Sequence, residues 1–181
     1  MARLFFALWP NEEVRKELGK ISNQFKDENL RLTKNSNLHI TLVFLGEVPE
    51  QDKAELIEKV NSIKGNPFSL TLDSIGHWKK PGILWIAPET TPDALDDLVM
   101  QLQSIIKQQG LNIDERPYKP HVTIARKVKQ PTIPKEKFHI PWSVISFALV
   151  VSRSLNTGVE YHVLQEWNLQ NKVLLTTQSG Y

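Results

Sequence analysis

The sequence predicts an α+β fold, and three observations support that prediction. Segments with the two-residue alternation of β-strands interleave with three segments that have the apolar spacing of amphipathic helices. Short turn segments at 79–82 and 156–158 join neighbouring strand-like runs, as hairpin loops do. A unit of strand, helix and strand occurs approximately twice, once in each half of the chain. We therefore expect strands and helices to share one core, connected by both hairpins and crossovers.

Side-chain periodicity sets the lengths of the predicted elements, and Pro, Gly and capping residues set their ends. In chain order we expect a strand at 2–9, a helix at 11–26, an extended piece at 30–33, a strand at 38–46, a helix at 49–64, strands at 68–78 and 83–87, a helix at 91–109, and strands at 120–126, 138–152 and 159–169. From residue 170 onward we expect a short closing segment.

Each predicted helix has an apolar stripe and an identifiable start. Asn11 is a suitable N-cap for the first helix, and Pro49 starts the second. Thr91 caps the third helix, Pro92 takes its first position, and Gly110 stops it. The residues expected to face the core are Val14, Leu18, Ile21 and Phe25, then Ala54, Ile57 and Val60, then Leu95, Leu98, Leu102, Ile105 and Ile106.

Composition and charge exclude several classes of protein. The 181 residues, 40% of them hydrophobic, suffice for one domain or for two small lobes that share an interface. The lack of cysteine excludes disulfides, thiolate metal sites and cysteine nucleophiles. No apolar run is long enough to span a membrane, and no signal peptide is evident, so we expect a cytoplasmic protein. The window 116–137 is strongly basic; it is either a solvated surface loop or, because it contains a candidate site, a segment that attracts phosphate groups.

Two copies of a His-x-Thr motif lie in apolar, strand-like runs. One is His39 with Thr41, and the other is His121 with Thr123. The composition predicts about 0.3 such triplets by chance, so a repeated copy in the same context favours a functional role over two half-buried strands. Because side chains alternate along a strand, each motif offers an imidazole and a hydroxyl to the same side.

Two imidazoles on either side of a phosphorus atom can act as one general acid and one general base. A histidine with a pKa near 6.5 holds useful amounts of both protonation states at neutral pH, so this chemistry requires no metal and no cofactor. The hydroxyls of Thr41 and Thr123 can donate hydrogen bonds to the non-bridging phosphate oxygens.

The paired motifs, the opening run Arg-Leu-Phe-Phe-Ala-Leu-Trp-Pro at 3–10, and the segments 38–46 and 120–126 resemble a known family. The chain is similar to the RNA 2′,3′-cyclic phosphodiesterases, also called 2′-5′ RNA ligase-like proteins, of the two-histidine phosphoesterase superfamily. The resemblance covers nearly the whole chain. It departs from the family at Arg-Leu-Thr-Lys-Asn, residues 31–35, where such proteins more often carry a tryptophan and a proline.

The resemblance implies a two-lobed, duplicated fold in which antiparallel sheets face a central cleft and helices pack on the outside. It implies that His39 gives a proton to the leaving oxygen, that His121 takes a proton from water, and that the product is a 2′-phosphate. It also implies a phosphate-binding role for Arg126, although strict alternation would place this side chain on the face of Ile124. Either the strand bends or ends at Ala125, or Arg126 is structural.

The expected substrates are RNA with a 2′,3′-cyclic phosphate end, tRNA fragments among them, or cyclic nucleotides, and we expect residues 1–181 to act as one monomeric domain. Two alternatives stay open, which are ATP-independent 2′-5′ joining of RNA ends and a non-catalytic RNA- or nucleotide-binding domain. The sequence has no zinc-site motif, nucleophile elbow or phosphate-binding glycine loop. The remaining histidines, His77, His139 and His162, are interpreted as surface or partly buried residues. Tyr118, Phe44 and Trp78 are candidates for base stacking, but each is more typical of a core position.

Overall fold

The computed structural model of the protein describes residues 2–25, 30–114, 116–133, 137–156 and 158–170. The strands are β1 Ala2–Leu8, β2 Arg31–Leu32, β3 Ile40–Val48, β4 Phe68–Leu72, β5 Ser74–Trp78, β6 Ile83–Ala87, β7 Val122–Arg126, β8 Ile140–Val144, β9 Ser146–Leu155 and β10 Gly158–Asn168. The helices are α1 Glu12–Asn23, α2 Glu50–Val60 and α3 Asp93–Gln108. The predicted closing segment beyond residue 170, the end of the first helix at residue 26, and Thr157 of the predicted hairpin turn lie outside the described residues.

Eight of these strands form one antiparallel sheet in the order β10-β9-β1-β3-β7-β6-β5, and β2 pairs with β7. Strands β3 and β7 are joined by a single residue pair, Ile40 with Val122. The sheet therefore divides at this pair into two halves, with β1, β3, β9 and β10 on one side and β2, β5, β6 and β7 on the other. The predicted α+β class, with antiparallel strands and three helices, is confirmed.

Two predicted strands are each divided into two, which is the main difference from the expected elements. The strand predicted at 68–78 changes sheet at Asp73, and the strand predicted at 138–152 changes sheet at Ile145, so that β4 and β8 form a separate two-stranded sheet. The Asp73 carboxylate accepts a hydrogen bond from the backbone of Glu89 at 2.8 Å. The side chain of Ile145 is 61% exposed, and its carbonyl accepts from Leu169 N. The apolar alternation changes phase at both divisions, but a change of phase within one strand also occurs at a β-bulge, so periodicity alone does not reveal a change of sheet.

The helices start close to where the sequence predicts. Asn11 caps α1, because its side-chain oxygen accepts a hydrogen bond from Val14 N at 2.9 Å. Helices α2 and α3 begin directly after a proline, so the cap of α3 is Pro92 and not Thr91. The predicted core stripes of α1 and α3 are buried or half-buried. The predicted stripe of α2 is wrong at Ala54, which is exposed; the buried face is centred on Leu56, and two residues along a helix lie nearly on opposite sides.

The helices cross between the two halves of the sheet. Helix α1, which precedes the first motif, packs against β7 and β8, and α3, which precedes the second motif, packs against β3. Ser22 of α1 donates a hydrogen bond to the carbonyl of Ile124 in β7 at 3.4 Å. Each half therefore carries a helix that the other half's motif strand needs for its core. In the described part of the chain, no helix is both long and apolar enough to cross a membrane.

Candidate active site

The two histidines lie at equivalent positions in the two halves of the sheet. His39 directly precedes β3, and His121 directly precedes β7. The antiparallel pairing of Ile40 with Val122 sets His39 level with Thr123 and Thr41 level with His121. The two motifs thus meet at the centre of the sheet, related by an approximate two-fold axis, and their four polar side chains line one cleft.

Both imidazoles are oriented in the same way by a backbone carbonyl two residues earlier. His39 Nδ1 donates to the carbonyl of Asn37 at 2.6 Å, and His121 Nδ1 donates to that of Lys119 at 2.7 Å. A carbonyl oxygen can only accept, so the proton on Nδ1 is fixed and Nε2 carries the proton exchange. Nε2 of His39 lies 3.0 Å from Thr41 Oγ1. In both histidines, Nε2 is therefore the nitrogen that is available for acid-base chemistry.

A β-bulge follows the threonine in each motif strand. In the pairing of β6 with β7, Ile124 has no residue opposite it. Ile124 and Ala125 are both buried, so the alternation of side chains changes phase at this point. Arg126 consequently lies on the side of Thr123 and lines the cleft, and the bulge removes the conflict that strict alternation predicts. The structural alternative for Arg126 is therefore not needed to explain its position.

The bulge in β3 has the same effect at the equivalent position. In the pairing of β1 with β3, Leu42 has no residue opposite it. Leu42 and Val43 are both buried, and Phe44 lines the cleft with 46% of its surface exposed. Phe44 in the first motif strand thus occupies the place that an arginine takes in the second. A further register shift occurs near Gly46, which has φ +72°, so this glycine does not end the strand as predicted and β3 continues to Val48.

Aromatic side chains enclose His39. The ring centroids of Phe5, Trp9 and Tyr161 lie 4.9, 5.7 and 5.1 Å from that of the imidazole. This burial lowers the pKa of His39 to about 4, although the hydrogen bond to Asn37 opposes the change; the positive charges of His121, Arg126 and Arg15 lower it further. His39 is therefore neutral near pH 7 in the free protein, and its Nε2 accepts a hydrogen bond from the Thr41 hydroxyl.

His121 has a more open environment. The ring of Trp78 meets it edge-on with centroids 4.6 Å apart, and no side chain of the described residues bonds its Nε2. Burial lowers the pKa of His121, the hydrogen bond to Lys119 opposes this effect, and the charge of Arg126 adds to it. The two histidines thus share an orientation and differ in how completely the protein surrounds them.

The cleft has a volume of about 610 Å³ and is strongly cationic. Its described lining contains no aspartate or glutamate, and it contains four basic residues, which are Arg3, Arg31, Lys34 and Arg126. The basic window at 116–137 contributes only the last of these, and Arg116 of that window forms an ion pair with Asp114 outside the cleft. The positive charge around the histidines therefore comes mainly from Arg3, Arg31 and Lys34, which the sequence analysis did not single out for their charge. Such a lining attracts an anion.

The three candidates for base stacking differ in where they lie, and so do the three remaining histidines. Phe44 lines the cleft, Trp78 packs on His121, and Tyr118 lies in a separate cavity beside α3. The other histidines stay outside the lining of the cleft, as predicted; they are His77, whose Nε2 donates to a backbone carbonyl at 3.0 Å, exposed His139, and His162. Among the described residues, no group of three His, Asp or Glu side chains is arranged to hold a metal ion.

Asn37 and Tyr161 are site residues that motif analysis missed. Asn37 is buried, its amide donates to the carbonyl of Val159 in β10 at 2.8 Å, and its side-chain oxygen accepts from Tyr161 N at 3.3 Å. It therefore holds β10 beside the carbonyl that orients His39. Position was the only available signal, because Asn37 lies two residues before the first histidine.

Comparison with known proteins identifies the family of the chain. Residues 8–85 match the family model described as LigT-like phosphoesterase. The RNA 2′,3′-cyclic phosphodiesterase of Escherichia coli is 32% identical over 92% of this chain and 96% of that protein, and the one from Thermotoga maritima is 30% identical over 95% and 98%. The crystal structure of E. coli LigT complexed with 3′-AMP superimposes with a TM-score of 0.88 at 31% identity, covering 94% of this chain and 99% of that one. The chain belongs to the LigT-like phosphoesterase family.

Proposed function

We propose that this protein hydrolyses the 2′,3′-cyclic phosphate at the end of an RNA chain and leaves a 2′-phosphate. The observation that carries the proposal is the pair of inward-facing imidazoles, each oriented by a carbonyl, in a cationic cleft whose described lining has no carboxylate. The relatives with the same name, RNA 2′,3′-cyclic phosphodiesterase, support the choice of substrate.

In the proposed reaction, His121 Nε2 takes a proton from water as the water oxygen attacks phosphorus. His39 Nε2 gives a proton to the ribose 3′-oxygen as its bond to phosphorus breaks. One proton enters the pair and one leaves, so the two histidines exchange protonation states in each turnover. No step requires a metal ion.

The threonines and Arg126 stabilise the charge on the phosphate. Thr41 and Thr123 lie level with the opposite histidine, so their hydroxyls can donate to the two non-bridging oxygens. Arg126 reaches the same cleft through the bulge at Ile124 and adds a guanidinium to the anion site.

The role proposed for His39 makes protonation depend on substrate binding. With a pKa of about 4 in the free protein, His39 carries no proton to give at neutral pH. A phosphodiester anion in the cleft favours the imidazolium and raises this pKa, because an opposite charge nearby stabilises the charged form. The protonated acid is thus proposed to form only in the complex.

The direct test is incubation with adenosine 2′,3′-cyclic phosphate in the presence of a chelator, with chromatography of the product. We expect adenosine 2′-phosphate at the rate seen without chelator. Activity that is lost in chelator and restored by a divalent ion would contradict the metal-independent mechanism. Absence of any turnover, together with tight binding of the cyclic nucleotide, would indicate a non-catalytic binding domain.

We also propose that the chain acts as one two-lobed, monomeric domain in the cytoplasm, on RNA ends that include tRNA fragments. The exchange of helices α1 and α3 between the two halves supports a single folding unit. A single unfolding transition in urea and a sedimenting mass of one chain are the expected results.

A further inference from the structure

The segment 31–34 forms one wall of the cleft, and it is where this chain departs from the pattern of its family. All four residues of the segment line the cleft. Two of them, Arg31 and Lys34, are basic. Neither has a role in the proton transfers proposed above, so their presence in the cleft needs another explanation.

Backbone pairing with β7 fixes the position of the segment 31–34. Strand β2 pairs with β7 so that Arg31 is opposite Arg126 and Leu32 is opposite Ala125. Thr33 N then donates to the carbonyl of Ile124 at 2.8 Å. The segment therefore runs along the second motif strand from Arg126 back toward the histidines, and Arg31 marks its outer end.

The arrangement of Arg31 and Arg126 is electrostatically unfavourable without an anion. Like charges on directly opposite residues of an antiparallel pair destabilise the sheet. No carboxylate of the described residues forms an ion pair with either guanidinium. Two arginines side by side at the edge of a phosphate site are the arrangement that a second phosphate would stabilise.

The start of β10 lies beside both cations of the segment. The guanidinium of Arg31 lies next to Gly158, where a β-carbon would displace it. Lys34 Nζ forms an ion pair with Glu160 of the same hairpin at 3.6 Å. Both cations of the segment thus rest on the start of β10, at one end of the cleft.

The opposite end of the cleft has a different character. Because β3 and β7 run antiparallel from the pair Ile40–Val122, Phe44 and Arg126 lie on opposite sides of the histidines. Phe44 is exposed, and the guanidinium of Arg3 lies 5.8 Å from its ring centroid. One end therefore offers an aromatic face with the single guanidinium of Arg3 over it, and the other offers two guanidinium groups and one ammonium group to a phosphate.

We propose that Arg31 and Lys34 bind the phosphate on the 5′ side of the terminal nucleotide, one nucleotide before the scissile cyclic phosphate. This inference rests on the proposed function for its first phosphate. It identifies the preferred substrate class as oligonucleotide ends, or 5′-phosphorylated nucleotides, over a cyclic mononucleotide with no second phosphate. The RNA chain leaves the site past Arg31, away from Phe44.

Three substrates separate the contributions: adenosine 2′,3′-cyclic phosphate, the same compound with a 5′-phosphate, and the dinucleotide adenylyl-adenosine with a terminal 2′,3′-cyclic phosphate. For the wild-type protein we expect kcat/KM to be about tenfold higher for both substrates that carry a second phosphate. Arg31→Gln and Lys34→Gln should each remove most of this ratio. Arg116→Gln is the matched control, because it removes the same charge outside the cleft, and it should keep the wild-type ratio.

Retention of the full ratio in both Arg31→Gln and Lys34→Gln would overturn the proposal. A gain confined to the dinucleotide would also overturn it, because the second base and not the phosphate would then be recognised. Using ratios cancels any general damage to folding or catalysis in a variant.

Binding of the products provides a test that needs no turnover. We expect adenosine 2′,5′-bisphosphate to bind the wild-type protein about tenfold more tightly than adenosine 2′-phosphate, and the difference to shrink in Arg31→Gln. Its log Kd should also respond more steeply to log salt, by about 0.7 for the added phosphate contact. Equal affinities for the two products would overturn this inference, whereas failure to hydrolyse any cyclic phosphate would overturn only the proposed function.

Discussion

The two halves of the cleft share a backbone plan and differ in the side chains that surround it. In both, a carbonyl two residues earlier orients the histidine, a threonine follows, and a bulge turns the next cleft residue inward. In the first half, three aromatic rings enclose His39, and the inward residue is Phe44. In the second half, Trp78 is the aromatic residue that contacts His121 within the described part of the chain, and the inward residue is Arg126.

This difference would allow a repeated motif to support the two roles proposed for the histidines. The shared backbone arrangement provides the geometry for proton transfer. It does not determine which histidine donates a proton and which accepts one. The environment decides which histidine holds a proton at a given stage, because burial and nearby charge act on the imidazolium and leave the neutral ring almost unaffected. The predictions below test whether the two halves are equivalent or specialised.

The largest expected effect comes from removing either imidazole. His39→Ala and His121→Ala should each lower turnover of a cyclic phosphate by about 10²–10⁴, because each removes a general acid or base. The double variant should lose much less than the product of the two losses, since the residues act as a unit. Turnover of purified variants at matched concentration measures this, and near-normal rates in both single variants would show that the histidines are structural.

A substrate with an activated leaving group can distinguish the variant that lacks the acid from the variant that lacks the base. A nitrophenyl phosphodiester needs little protonation of its leaving oxygen, so the variant that lacks the acid should regain most of its activity. We expect this rescue for His39→Ala and none for His121→Ala. Rescue of His121→Ala alone would exchange the two roles and would agree with the lower pKa of His39 in the free protein.

The aromatic enclosure of His39 should make the protein sensitive to acid. The pKa of His39 is about 4 in the folded protein and near 6.5 when unfolded, so the unfolded chain binds more protons between these values. The stability contributed by the neutral ring is complete above pH 6.5 and is lost as the pH falls to about 4. At pH 4, this amounts to about 3 kcal/mol in the free energy of unfolding.

Urea unfolding at pH 7 and pH 4 measures that loss. His39→Gln should lose about 3 kcal/mol less than the wild type between the two pH values, because it has no group to titrate in the enclosure. His139→Gln replaces an exposed histidine outside the cleft and serves as the control. If His39→Gln and the wild type lose the same free energy, the enclosure does not hold His39 neutral.

The smallest expected effects are those of the threonine hydroxyls. Thr41→Val and Thr123→Val keep the shape of the strand and each remove a donor to an anionic oxygen, an interaction worth roughly 1.5–3 kcal/mol. We expect kcat/KM to fall about tenfold to a hundredfold in each case. Thr41→Val should additionally shift the pH profile, because among the described residues Thr41 is the threonine whose hydroxyl contacts a histidine Nε2. Identical profiles for both variants would argue that this contact has no influence on proton transfer.

The sequence was sufficient to predict the α+β class, the three helices and a His-x-Thr motif on a strand in each half. These features depend on periodicity and on residues close in the chain, which one sequence displays directly. The expectation that both motifs face one cleft came from the family resemblance and not from periodicity. The orientation of Arg126 could not be predicted, because it depends on a bulge created by the pairing of β7 with β6. The divisions at Asp73 and Ile145 depend likewise on which sheet each half-strand joins.

The enclosure of His39 was beyond prediction for a related reason. Its rings come from residues 5 and 9 and from the distant residue 161, and all three look like ordinary core or strand residues. Arg31 and Lys34 were noted only as a departure from the family pattern. Their position in the cleft follows from the short pairing of β2 with β7.

The contact between Asn37 and β10 affects when the site becomes complete during synthesis. Asn37 bonds the backbone of Val159, 122 residues further along the chain. At 5–20 residues per second, a ribosome needs roughly 6–25 s to make the intervening residues. Throughout that interval the nascent chain carries the first histidine without Tyr161 as its wall. The site is therefore completed late, after both His-x-Thr motifs have been synthesised.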